Sequence, residues 1–355
     1  MSIEVGITVV SAGWVSTFQD LGRVDAERLG VPSGGAADQH SAAIANILVG
    51  NPRGATLMES LGGVLAVVPD RDILVAVTGT PAEVTVDGAA VELWAPFVVP
   101  AGHLLSIHGA HTGARSYLAM NGALTAARFL GSAAPDARMG FAQALRVGQS
   151  IELVTTFRGF RRTFFEQSFF RLPVPVPAFG QHPWTIDLVP SDLTDALPGL
   201  RTLMANARYL VTDRSNHVGL RLDGPVLHPE GEDEIVSHGV PIGAVEIPHG
   251  DELIVLGRYR TLTAGYPIVG FVTRASQSIL GQAGPGRELV FRWVDRGAAR
   301  RLLAESENRL IALEESVARA FRAAGLGLEA ASEPINVLPD VLEALPDHEI
   351  NATIF

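Results

Sequence analysis

The sequence predicts a mainly β protein: two β-rich domains, few short helices and an amphipathic helix near the C-terminus. Three observations carry this. Short runs of β-branched and apolar residues bounded by Gly, Pro and Asp recur along the chain, as in VLAVVP, ILVAVTG, PFVVPAG, LLSIHG, ELIVLG and ELVFRW. Asp87-Gly88 separates two alternating runs in AEVTVDGAAVELW, the pattern of a tight hairpin. The segment LPVPVPAFGQHPW, Leu172 to Trp184, is too proline-rich for a central strand or helix and reads as a stiff connector.

The elements follow in order. Asp38 is placed to cap a helix running to Val49, with small and apolar residues through AAIANILV and Gly50 as its stop. A second helix is expected to begin at Ser191 and to be interrupted at Pro198. Leu303, Leu310 and Val317 recur at heptad spacing with Leu313 and Phe321 beside them, so an amphipathic helix over 297–324 ends at Gly325. It would dock on its own body or meet another protein of an assembly. The Phe- and Arg-rich stretch FRGFRRTFFEQSFFR, 157–171, would pack on the body or form an edge, and the acidic residues after Ser332 a strap or tail. The expected domains are 1–175 and 176–296, followed by a helix and tail over 297–355.

Composition narrows the chemistry. With 355 residues, 47% of them hydrophobic, the chain can bury a sizeable core, yet no run approaches the ~20 apolar residues that span a bilayer. The N-terminus MSIEVGITVV lacks a basic signal region and there is no cysteine, so the expected protein is soluble and cytoplasmic, with no membrane partner. A net charge of −11 without a basic tract argues against nucleic acid. All 27 basic residues are arginine, which excludes a Schiff-base, P-loop or biotinyl lysine in this chain. Any bound anion must be met by Arg, His, backbone N–H groups or a metal. Zinc motifs, GxSxG and nucleotide-binding glycine motifs are missing. His103, His108 and His111 read as surface or core histidines.

Two glycine-rich, mixed-charge loops remain. The first holds Gln19, Asp20 and Arg23, then Gly30, Gly34, Gly35 and Asp38; its Asp–Arg pair either orients a polar substrate or locks the loop, and chemistry alone favours the lock. The second is GRYRTLTAGYP, Gly257 to Pro267, with Arg260, Thr263, Gly265 and Tyr266.

The ordered pieces TFQDLGR, GVPSGGAADQHSAAIANILVGNP, LMESLGG, VTGTPAEVTVDG, GARSYLAMNGAL, FLGS, VGLRLDGP, VSHGVPIGAVEIP and TAGYP resemble one family over residues 3–294. It is the biotin-dependent carboxyltransferase-type family that includes the C component of 5-oxoprolinase, KipA, allophanate hydrolase subunit 2 and the matching region of urea carboxylase. The resemblance implies cyclophilin-like barrels, a KipI-like B component as partner together with an A-component homologue, and ATP with magnesium serving the opening of a small lactam or amide. The alternatives are a non-catalytic regulatory partner, or a carboxyltransferase whose biotin rides on a separate carrier, since this chain carries none.

On that footing Asp20, Asp38, Arg260 and Tyr266 are the expected catalytic residues. Gln19, Arg23, Gly34, Gly35, Arg221, Glu246, Thr263 and Gly265 are expected to bind substrate or phosphate; the resemblance names no metal ligand. The chain departs from the family pattern at Tyr259, Thr261, Leu262 and Ala264, at Ala133, at Asn216 and His217, and at Glu246, where Gln is common. Such changes imply a different substrate or lost catalysis.

Overall fold

The computed structural model describes residues 2–109, 115–141, 144–159, 172–177, 179–226, 235–248 and 252–326. His111, most of the 157–171 stretch and the tail after Ser332 lie outside these. The chain divides into two compact units, neither contiguous in sequence. The first takes Met1–Arg23, Gln39–Val176 and Arg309–Phe355; the second takes Val24–Asp38 and Pro177–Asn308.

The first unit carries β1 (Ile3–Ala12), β2 (Val15–Gln19), β3 (Leu57–Leu61), β4 (Val64–Pro69), β5 (Ile73–Gly79), β6 (Pro81–Val86), β7 (Ala89–Ala90), β8 (Pro96–Val99), β9 (Leu105–Gly109), β10 (Arg115–Met120), β11 (Ala123–Leu124) and β12 (Ser150–Thr155). They form a seven-stranded sheet, β11-β12-β1-β4-β9-β6-β7, and a five-stranded sheet, β2-β3-β10-β5-β8. Alternate residues of both sheets, among them Val5, Ile7, Val67, Ile107, Val75, Val77 and Leu118, share one core. Asp87 and Gly88, both at positive φ, turn β6 into β7 as the sequence predicts.

Helix α1 (Gln39–Leu48) lies on β5 and β10. It explains why ILVAVTG is apolar on both faces: Ile73, Val75 and Val77 point to the shared core, and the Thr78 hydroxyl donates to the Ser41 carbonyl at 2.8 Å.

In the second unit, β13 (Trp184–Pro190), β14 (Tyr209–Val211), β15 (Gly219–Asp223), β16 (His238–Gly239), β17 (Ala244–Glu246), β18 (Glu252–Leu256), β19 (Thr263–Ala264), β20 (Ile268–Val272) and β21 (Glu288–Trp293) appear in turn. Seven close a barrel in the order β13-β20-β17-β18-β15-β14-β21, filled by Ile186, Leu188, Tyr209, Leu222, Val245, Val255 and Phe291. The remaining two, β16 and β19, pair as a small ribbon.

Helix α2 (Asp192–Ala196) starts from a capping box built by Ser191 and Thr194, and α3 (Leu200–Asn206) resumes beyond Pro198. Helix α4 (Arg274–Gly281) is capped by Thr273. Helix α5 (Arg296–Ala323) buries Leu310, Leu313, Val317 and Phe321, and Arg53 grips Glu314 at 2.7 and 2.9 Å. Its C-terminal half therefore docks on its own unit.

Candidate functional site

In the first unit, the end of β2 is tied to the loop 128–139. The Asp20 carboxylate accepts from the Gly22 N–H at 2.8 Å, the Ser132 hydroxyl at 2.5 Å and the Ala133 N–H at 2.8 Å, with Arg128 at 3.7 Å. Arg23, fully buried, donates to the Ala134 carbonyl, lies 3.9 Å from Asp136 and sits over the Phe129 ring. Gln19 donates to the Thr17 hydroxyl at 3.1 Å. A carboxylate with this many donors is fixed in place, the geometry of a loop lock. Ala133, one of the departures, is fully buried within the core.

The second unit gathers the other candidates. Residues 24–38 are pinned to the barrel loops: the Gly34 N–H donates to the Arg258 carbonyl at 3.2 Å and Arg258 Nε donates back to the Gly34 carbonyl. Gly34 and Gly35 hold φ of 57° and 90°, which glycine adopts without strain. Gln282 donates to Asp38 at 2.8 Å, and a Cβ on Gly281 would fall 2.3 Å from the Ala37 carbonyl oxygen, so α4 approaches this stretch closely.

Arg260, 3% exposed, donates to the Val240 carbonyl at 2.7 Å and to Glu27 at 3.0 Å, while its Nη1 has no partner. Burial pushes the Arg258 guanidinium down to about 10, and the positive charges of Arg274 and Arg260 add to the effect. Glu27 pairs with Arg260 and acts on Arg258, while Arg274 adds a third positive charge near Arg258, an arrangement suited to an anion. Glu27, Arg258 and Arg274 were not singled out from sequence; the two arginines of GRYR, two residues apart, were the available signal.

Glu246 lies on the outer face of the barrel. Its register partners are Ile254 and Ile268, and its flanking neighbours Val245 and Ile247 turn into the barrel core. It is 3% exposed, its Oε1 has no partner, and burial pushes its carboxyl up to about 7.

The remaining candidates make other contacts. Arg221 is paired with Glu252, which Arg214 also approaches at 2.8 Å. Thr263 is exposed on β19, Tyr266 half-buried, and the Gly265 carbonyl accepts from the Ile235 N–H at 2.9 Å. Among the departures, Asn216 accepts from the Val218 N–H and His217 meets Tyr259 edge-on. His103 pairs with Asp87 at 2.6 Å on the surface. Among the described residues, no group of three or more His, Asp or Glu can hold a metal, and no helix is long and apolar enough to cross a membrane.

Residues 29–293 match the family model for the carboxyltransferase domain, subdomain A and B. The chain belongs to that family. Among its members, the C component of 5-oxoprolinase from Escherichia coli (strain K12) is 28% identical over 306 residues, covering 80% of this chain and 90% of that protein. The corresponding 5-oxoprolinase component of Haemophilus influenzae is 24% identical, covering 82% and 92%. The crystal structure of TTHA0988 superposes with a TM-score of 0.67 at 29% identity over 81% of this chain; the chain spans 55% of that one. The Kluyveromyces lactis urea carboxylase, 23% identical with a TM-score of 0.74, covers 88% of this chain and shares the fold.

Proposed function

We propose that this carboxyltransferase-family chain is the C-type component of a 5-oxoprolinase-like, ATP-dependent amidohydrolase that opens a small lactam or amide beside a KipI-like B component. The observation that carries the reading is the cationic group of Arg258 and Arg260 in the loop with Arg274 at the start of α4, in a chain whose likeness to the C component of 5-oxoprolinase covers nine-tenths of that protein.

Opening an amide requires stabilisation of the oxygen that becomes anionic and of any phosphoryl group placed on it. Without lysine, that charge falls to the arginines, and the unpartnered Nη1 of Arg260 is the group free to supply it. ATP would supply the activating phosphoryl group when bound. The arginines fit its anionic oxygens. Asp20 and Arg23 act as positioning residues for their loop, Asp38 for the stretch gripped by Gln282, and Tyr266 with Thr263 lies beside Arg260 in sequence to contact the substrate.

ATP hydrolysis by this chain co-expressed with its genomic neighbours, with and without 5-oxoproline, tests the proposal. Stimulation lost on omitting this chain supports it; stimulation unchanged by the omission overturns it. The family's carboxyltransferase model favours one second reading, carboxyl transfer from biotin on a separate carrier. An avidin-reactive protein co-purifying with the chain would support that reading.

A further inference from the structure

We propose that the acidic segment 337–349 of this chain folds back as a strap onto the arginine-rich first half of α5, residues 296–308. Both parts lie beyond residue 293, where the family match ends, so the family likeness accounts for neither.

The charges at the start of α5 run against the helix dipole. A helix N-terminus holds a partial positive charge and favours acids. Here the first six residues include Arg296, Arg300 and Arg301 and no acid. Asp295, just before them, accepts from the Ala298 N–H at 2.6 Å and serves as the cap. All three arginines are exposed, and none makes an ion pair among the described residues, whereas Arg319 further along meets Glu315 at 3.6 Å. The apolar stripe also loses its cover in this half. Leu310, Leu313, Val317 and Phe321 are buried, while Leu302 and Leu303 are only half-buried. The first half of α5 is therefore cationic and partly apolar at once.

The complementary chemistry stands in the sequence that follows. Residues 327–355 hold six acids, Glu329, Glu333, Asp340, Glu343, Asp347 and Glu349, and no arginine. Four of the six fall within VLPDVLEALPDHE, 337–349, interspersed with Val337, Leu338, Val341, Leu342 and Leu345. Pro339 and Pro346 leave too few residues between them for an independent helix, so these apolar side chains need a surface from elsewhere. That surface must also be basic.

The chain is long enough to supply it from within. Helix α5 closes at Gly325, φ 77°, with the Leu326 N–H donating to the Phe321 carbonyl at 2.9 Å. Arg301 lies 24 residues before Gly325, about 36 Å along the helix. Asp340 lies 15 residues after it, about 50 Å when extended. An acidic partner would reach this face of α5 only by displacing the strap.

The chain contains no cysteine, so Ala304→Cys, exposed one turn past Arg300, and Ala344→Cys provide the only thiols. Oxidation of this full-length variant should give a disulfide-closed monomer. Adding Arg300→Glu and Arg301→Glu should slow closure about tenfold, because attraction becomes repulsion. Adding Asp340→Arg and Glu343→Arg to that protein should restore it. Hydrogen exchange of the amides over 297–308 reads the same contact without thiols. It should be slower in the parent than in the full chain carrying Asp340→Asn, Glu343→Gln and Asp347→Asn, and the difference should shrink in concentrated salt. A disulfide formed between two copies would transfer the docking to a second chain and overturn the strap. So would an absence of closure, closure indifferent to both charge changes, or equal exchange in parent and neutralised chain.

Discussion

Substituting Glu246 should make the barrel more stable, and only above mildly acidic pH. Its carboxyl is raised from 4.5 to about 7 by burial beside Ile254 and Ile268. Each tenfold change in proton affinity corresponds to about 1.4 kcal/mol, so the folded chain gives up roughly 3 kcal/mol relative to a side chain that never ionises. Below the unfolded value of 4.5 both states are protonated and the cost is nil. As pH rises toward 7 the unfolded chain releases its proton while the folded one keeps it, so stability declines; above 7 the loss is complete. Glu246→Gln removes the titration. Hydrogen exchange of amides in β17, β18 and β20, measured from pH 5 to pH 8 with correction for intrinsic rates, reads the barrel by itself. The advantage of the variant should grow through that range and then level. An advantage independent of pH would refute an unpartnered, neutral carboxyl.

Other residues give sharper structural tests. Asp20→Ala strips the acceptors from Gly22, Ser132 and Ala133, leaving buried donors and Arg128 uncompensated; a loss of roughly 3 kcal/mol in urea denaturation is expected. Phe321→Ala empties a fully buried site under the end of α5 and should cost about 3–5 kcal/mol, with Arg53 and Glu314 exchanging partners with solvent in the same transition. Gly281→Ala sets a methyl 2.3 Å from the Ala37 carbonyl oxygen, so a drop in thermal midpoint is expected even though alanine is the better helix former.

Local chemistry was legible wherever it was sufficient. Asp87-Gly88, the helix after Asp38 and the Ser191 start announced themselves because their signals lie within a few residues of the structure they cause. What stayed hidden depends on distant partners. Nothing near Gly34 reveals that Arg258 takes its carbonyl across 224 positions, or near Glu27 that Arg260 meets it across 233. Arg221 looked available for an anion because its partner Glu252 is 31 residues away. Glu246 stood out as a departure from the common Gln, but its lack of a partner became visible only once Ile254 and Ile268 were placed beside it.

The lending of residues 24–38 to the barrel unit, and of 309–355 to the other, also sets how this protein can be cut and recombined. A gene divided at residue 176 would yield two fragments, each missing a piece encoded on the other. Exchanging barrels between relatives therefore requires four joints, before residue 24, after residue 38, before residue 177 and after residue 308, rather than a single crossover. Inheritance of the two units as a pair is built into the order of the chain.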